Sequence, residues 1–158
     1  MFNSAHVHLL TNHVPVMAAL IGLLLLLVAL LRRSAEMTRA GMIVMVLAAL
    51  AAVPAYLTGD PAEHIVNNLP GVQRSDIHEH EESAQYALVA VELTGLLALF
   101  GLARYWSAAV LPRGFVAALL FLALLTSAIM ARTAYLGGMV RHTEIRPAAP
   151  EQRGGLGD

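Results

Sequence analysis

The chain has 158 residues, of which 58% are apolar and only 13% charged, with a formal net charge of −1. Such a composition excludes an ordinary soluble domain and leaves no room for one beside the apolar segments. The absence of cysteine excludes disulfides, thiolate metal sites, iron–sulfur ligation and covalent c-type haem attachment within this chain.

Four apolar runs, at 14–31, 40–57, 83–103 and 115–136, each approach the roughly 20 residues that cross a bilayer core. The expected fold is therefore an all-α, integral membrane, up-down four-helix bundle forming one domain, with helices at 14–31, 40–57, 76–103 and 114–136. A His- and acid-rich loop over 58–82 and a flexible tail over 143–158 complete it. The first run is read as a retained helix, because no Lys or Arg precedes it and Arg32-Arg33 follows it in place of a small-residue cleavage site.

In chain order, Asn12 is the expected N-cap of the first helix, with Pro15 in its first turn. Pro54 should loosen the end of the second helix, and Thr58-Gly59-Asp60-Pro61 should stop it. A short interfacial helix is expected over 63–69, before the Pro70-Gly71 turn. Ser75 or Asp76 should cap the third helix, placing His78 and His80 on its first, water-exposed turns. The fourth helix follows Pro112 and should stop at Gly137-Gly138. Short connections make the first and second helices antiparallel neighbours, and likewise the third and fourth.

Charge supplies an orientation. The loops at 32–39 and 104–113 carry Arg32, Arg33, Arg39, Arg104 and Arg113 against the single acid Glu36, whereas the acids gather in the 58–82 loop and the tail. By the positive-inside rule both termini and the long loop face outward, which in a bacterial inner membrane is the periplasm. All seven histidines, His6, His8, His13, His64, His78, His80 and His142, then fall at this one outer face.

A one-sided gathering of imidazoles mixed with carboxylates suits a cofactor site. In His6-Val7-His8…His13-Val14-Pro15, two histidines five residues apart lie about 140° apart on a helix, so His8 and His13 serve one centre only if the chain bends at Asn12. In the second cluster, His78, Glu81, Glu82, Gln85 and Glu92 form one polar stripe, with His80 nearly opposite above Ala84, Ala87 and Thr94. Interfacial histidines and an acidic first helical turn account for both clusters without a cofactor. Glu92 and Arg132 lie inside apolar runs, where an unpaired charge costs at least ~3 kcal/mol. Their similar depth makes them expected ion-pair partners, with Arg132 as a propionate anchor and Glu92 as a proton relay the alternatives.

Nucleic-acid and nucleotide motifs are absent, and Ser127 and Thr133 have no base-and-acid set around them. Three readings stand. The first is an electron-transfer module binding one or two b-type haems through pairs from His8, His13, His80 and His142, with His13 and His80 the favoured pair and Arg132 and Arg141 on the propionates. The second is a copper, zinc or non-haem iron site on the same four histidines, with His64, His78 and Glu81 as secondary ligands. The third is a non-catalytic accessory subunit packed against a larger respiratory or photosynthetic complex. Partners follow accordingly: the lipid bilayer and, for the redox readings, a cytochrome c, a Rieske protein or a larger redox complex, with homo-oligomerisation compatible with each.

The pattern His8-x4-His13-x-Pro15, a histidine heading the third helix at His80, and Gly137-Gly138-x3-His142 resembles a family of small bacterial four-helix membrane proteins catalogued as a domain of unknown function. Some of its members occur beside or fused to cytochrome c or Rieske modules. The chain departs from that pattern in Leu9, where a proline commonly follows the first histidine, and in a shorter Gly-Gly-to-His spacing. The resemblance implies a redox neighbourhood.

Overall fold

A computed structural model describes residues 3–142, and in these every regular element is helical. The order is α1 (Ser4–Thr11), α2 (His13–Arg32), α3 (Ala35–Leu57), α4 (Gly59–Val66), α5 (Arg74–Tyr105) and α6 (Arg113–Arg141). Four helical stretches, α1 with α2, then α3, α5 and α6, are long and apolar enough to cross a membrane. At 1.5 Å per residue, α5 is about 48 Å long against a hydrocarbon core of about 30 Å. Its first turns, which carry His78 and His80, therefore extend past the apolar part.

α2 pairs with α3 and α5 with α6, and the two hairpins join crosswise, α3 against α5 and α2 against α6. The connections explain the neighbours. Arg33 takes up a left-handed conformation (φ 51°) to end α2, and Ser34 at once caps α3, its hydroxyl accepting from the Met37 N–H at 3.2 Å. α1 lies beside α4, and the Ser4 hydroxyl donates to the Pro61 carbonyl at 2.8 Å.

The core has two parts. Towards the end that carries the arginine-rich loops, Leu23, Leu26, Met42, Met45, Ala98, Leu111, Leu119 and Ala123 form one cluster. Towards the histidine end the cluster is built mostly of alanine: Ala19, Ala48, Ala49, Ala52 and Ala87, with Val91 and Met130. Between α5 and α6, hydroxyls replace large side chains, with Thr94 and Thr126 2.8 Å apart and Ser83 and Thr133 2.7 Å apart.

Several boundaries differ from the sequence expectation. α6 does not stop at Gly137-Gly138 but runs through both glycines to Arg141; among the described residues only Gly71 is a glycine with positive φ, so neither takes the left-handed turn that ends a helix. Asn12 makes no side-chain cap, since its own backbone is helical and α1 and α2 meet there almost without a break. The short helix begins at Gly59 and ends at Val66, displaced from 63–69 because Thr58 closes α3 and the following residues turn straight into α4. α5 starts at Arg74 after Gln73, ahead of the Ser75 or Asp76 cap. The tail expected over 143–158 lies outside the described residues.

Candidate functional site at the histidine end

The seven histidines all lie on elements at one end of the bundle, but only His8 and His80 are half-buried; the other five are exposed. Two helix ends position them. His8, in the last turn of α1, is directed onto the end of α3, where its Nδ1 lies 3.0 Å from the Ala55 carbonyl oxygen and 3.2 Å from the Thr58 hydroxyl. Thr58 in turn donates to the Pro54 and Ala55 carbonyls at 2.9 and 3.0 Å, holding that corner together. His80, in the second turn of α5, points across to α6, its Nδ1 3.0 Å from the Thr133 carbonyl oxygen.

These contacts decide the tautomer. A carbonyl oxygen can only accept, so each Nδ1 carries the proton and donates, and the neutral ring keeps its lone pair on Nε2. A second-shell carbonyl on one ring nitrogen is the arrangement that orients a histidine whose other nitrogen binds a metal. His80 lies within range of the charge of His8, and His8 within range of that of His13. Both rest against glycine: a Cβ on Gly137 would stand 2.9 Å from His80 Cε1, and one on Gly59 would stand 3.8 Å from His8 Cε1. Gly137 therefore continues a helix and clears space for an imidazole. Below His80, Ser83 is fully buried and donates to the Thr133 hydroxyl, whose own proton goes to the Ile129 carbonyl at 3.0 Å.

The remaining sequence candidates lie elsewhere. His13 is exposed, its Nδ1 3.3 Å from the Leu9 carbonyl, and it borders an apolar groove with Val14, Met17 and Val44 on the outer α2–α3 surface. Across the nearly unbroken α1–α2 joint, His13 lies about 140° round the helix from His8. His142 is exposed at the end of α6, its backbone N–H donating to the Gly138 carbonyl at 2.9 Å. His6 contacts Asn3 Oδ1 at 2.8 Å, His64 is exposed on α4, and His78 stands 3.5 Å from Glu82. Glu81 is half-buried and hydrogen-bonded to Glu63 of α4, with Asp60 and His78 nearby. Arg141 is exposed in the last turn of α6.

Arg132 and Glu92 do not pair. Arg132 is exposed, about 100° round α6 from the inward Thr133. Glu92 sits one turn before Gly95, on the side of α5 where a Cβ at Gly95 would stand 2.5 Å from Ala49 of α3, and its Oε1 is buried without a hydrogen-bond partner. Different helix faces, not depth, separate the two.

Among the described residues no three His, Asp or Glu side chains gather closely enough to hold a metal ion. Sequence reasoning reached His8 and His80 but missed Ala55, Thr58, Gly59, Thr133 and Gly137, which orient and seat them. Backbone acceptors leave no residue-type signal, although Thr58-Gly59 and Gly137-Gly138 could have been read as places where a ring meets a helix. Comparison with protein-family models, curated proteins and solved structures matches nothing to this chain.

Proposed function

We propose that the chain is a membrane electron-transfer protein that holds a b-type haem between His8 and His80 at its outer face. The observation that carries this reading is the matched pair of Nδ1–carbonyl anchors, on α3 for His8 and on α6 for His80, which leaves both Nε2 atoms as ligands. A six-coordinate electron-transfer haem takes two axial ligands from the protein, whereas a zinc or non-haem iron site needs three or more. A pair of oriented histidines with no third ligand beside them favours haem over the copper, zinc or iron alternatives.

The surroundings suit a flat apolar ring. Ala52 and Ala55 are buried in the last turns of α3 and Ala87 about two turns beyond His80 on α5, and glycine lies against each imidazole. Bound haem supplies one-electron transfer; the protein's residues orient the iron ligands and shield the ring from water. Arg141 is the candidate propionate partner, while Arg132 faces away from the bundle. The arginine-rich loops support an outward histidine end, in a bacterial inner membrane the periplasmic side, where a cytochrome c, a Rieske protein or a larger redox complex would be the electron partner. The resemblance to the four-helix family with cytochrome c and Rieske neighbours belongs to the same reading.

The test is an absorption spectrum of the full chain purified from haem-replete cells without chelators. A Soret band with sharp α-bands on reduction is expected. Stoichiometric copper, zinc or iron without those bands would replace the reading with a metal site, and neither would leave an accessory subunit.

A further inference from the structure

Two stretches of the chain repeat each other. His6-Val7-His8 leads into a helix that passes Gly22-Leu23-Leu24, and His78-Glu79-His80 leads into one that passes Gly95-Leu96-Leu97. The partner helix of the first closes on Ala55-Tyr56-Leu57-Thr58-Gly59, and that of the second on Ala134-Tyr135-Leu136-Gly137-Gly138. The elements correspond, α1 with α2 to α5 and α3 to α6, while the Ala-Tyr-Leu match runs one residue out of step with the ring anchors, aligning Ala55 with Ala134 where His80 is held by Thr133. Exchanging the two halves turns the α3–α5 contact into the α6–α2 contact, and both contacts are present.

Any up-down bundle has such neighbours, so packing alone would not establish a duplication. The ring anchors go further. His8 Nδ1 is 3.0 Å from the carbonyl of Ala55, and Gly59 lies one helical turn beyond that acceptor; His80 Nδ1 is 3.0 Å from the carbonyl of Thr133, and Gly137 lies one turn beyond it. Each hairpin therefore folds its own histidine onto its own second helix in the same way. The halves differ by one residue in the spacing from His8 to Gly22 and from His80 to Gly95, and at the joint where α1 and α2 divide at Asn12 while α5 is continuous.

We infer that the chain is a tandem pair of one helical hairpin and that its cofactor lies on the two-fold axis between the copies, each copy supplying one axial imidazole. This inference rests on the haem reading and adds stoichiometry and ligand origin to it. Groups exchanged by a two-fold axis face each other across it, so a cofactor bound equally by His8 and His80 must lie on the axis. A separate cofactor in each hairpin would need a second ligand in each. His13 could serve the first, but the matching position five residues after His80 is Gln85, which leaves the second hairpin with no equivalent. One haem per chain follows.

The experiment compares haem content with protein content in the full chain and records the electron paramagnetic resonance of oxidised single variants. One haem per chain is expected, low-spin in the parent and in His13→Ala. His8→Ala and His80→Ala should both convert it to high-spin, and added imidazole should restore low-spin haem in both. If an alanine variant fails to assemble, His8→Met and His80→Met replace it, with matching His–Met spectra expected from the two. Two haems per chain, or one of the two histidine variants remaining bis-imidazole, overturns the shared axial site while leaving haem binding intact. Absence of haem from the parent overturns both.

Discussion

The two ends of the bundle are built from the same helices but packed with different side chains. At the arginine-rich end, Leu26, Met42, Met45 and Leu119 are fully buried, and Phe115 lies 5.2 Å from Tyr105 and 6.4 Å from Phe100, ring centre to ring centre. At the histidine end, the buried cluster is mostly alanine with Val91 and Met130, joined by Ser83, Thr94 and Thr126, and two imidazoles are hydrogen-bonded to helix carbonyls. Large interlocking residues hold one end shut. Small residues and hydroxyl pairs let helices approach closely at the other, as in many membrane bundles, while leaving room beside the rings. Stability and ligand binding should therefore respond to substitutions at opposite ends.

The strongest test of that separation is Gly101→Leu, because even a Cβ there meets the Phe115 ring and the Met42 sulfur. Overpacking should cost about 3 kcal/mol. Thermal unfolding in detergent should show it, with any cofactor lost together with the fold. At the histidine end, Gly137→Val should do the reverse. The added side chain displaces the His80 ring, and loss of such an orienting contact lowers cofactor affinity about 10- to 100-fold. Stability should change by less than about 1 kcal/mol, since removing a mid-helix glycine offsets the local clash. Equal losses of stability and binding would erase the distinction between the ends.

Thr133→Val should produce a smaller effect, about 1 kcal/mol of stability, by removing the hydroxyl that accepts from buried Ser83. It spares the carbonyl that holds His80, so cofactor content should stay constant; a fall would mean that the hydroxyl, not the carbonyl, orients the ring. The smallest effect is expected from His13→Ala. An exposed side chain outside the mouth should change stability by less than about 0.5 kcal/mol and leave cofactor content unaltered, as measured by melting and absorption. Loss of cofactor in this variant would return His13 to the ligand set.

Hydropathy was enough to place four long helices, because runs of leucine, alanine and valine leave no alternative to helix or core. The orientation of individual histidines was harder to read. His8 and His13 have the same residue type and the same setting in sequence; what separates them is the phase of a helix that passes Asn12 almost unbroken, where a cap and a bend were expected. Gly137-Gly138 looked like a stop because glycine ends helices more often than it accommodates a ring. The Glu92–Arg132 pair failed for a related reason, since equal depth gives no information about which neighbour each side chain faces. The carbonyls of Ala55 and Thr133 carry no sequence signal at all, and they are what fix the two imidazoles.

In the proposed site two imidazoles, one from α1 and one from α5, ligate a single iron. Near-infrared magnetic circular dichroism of the oxidised, haem-loaded chain tests it most directly, because the charge-transfer band of low-spin haem reports the chemical nature of both axial ligands. The bis-histidine band is expected. A band of the histidine–methionine type, or a high-spin spectrum with one axial position taken by water, would contradict it.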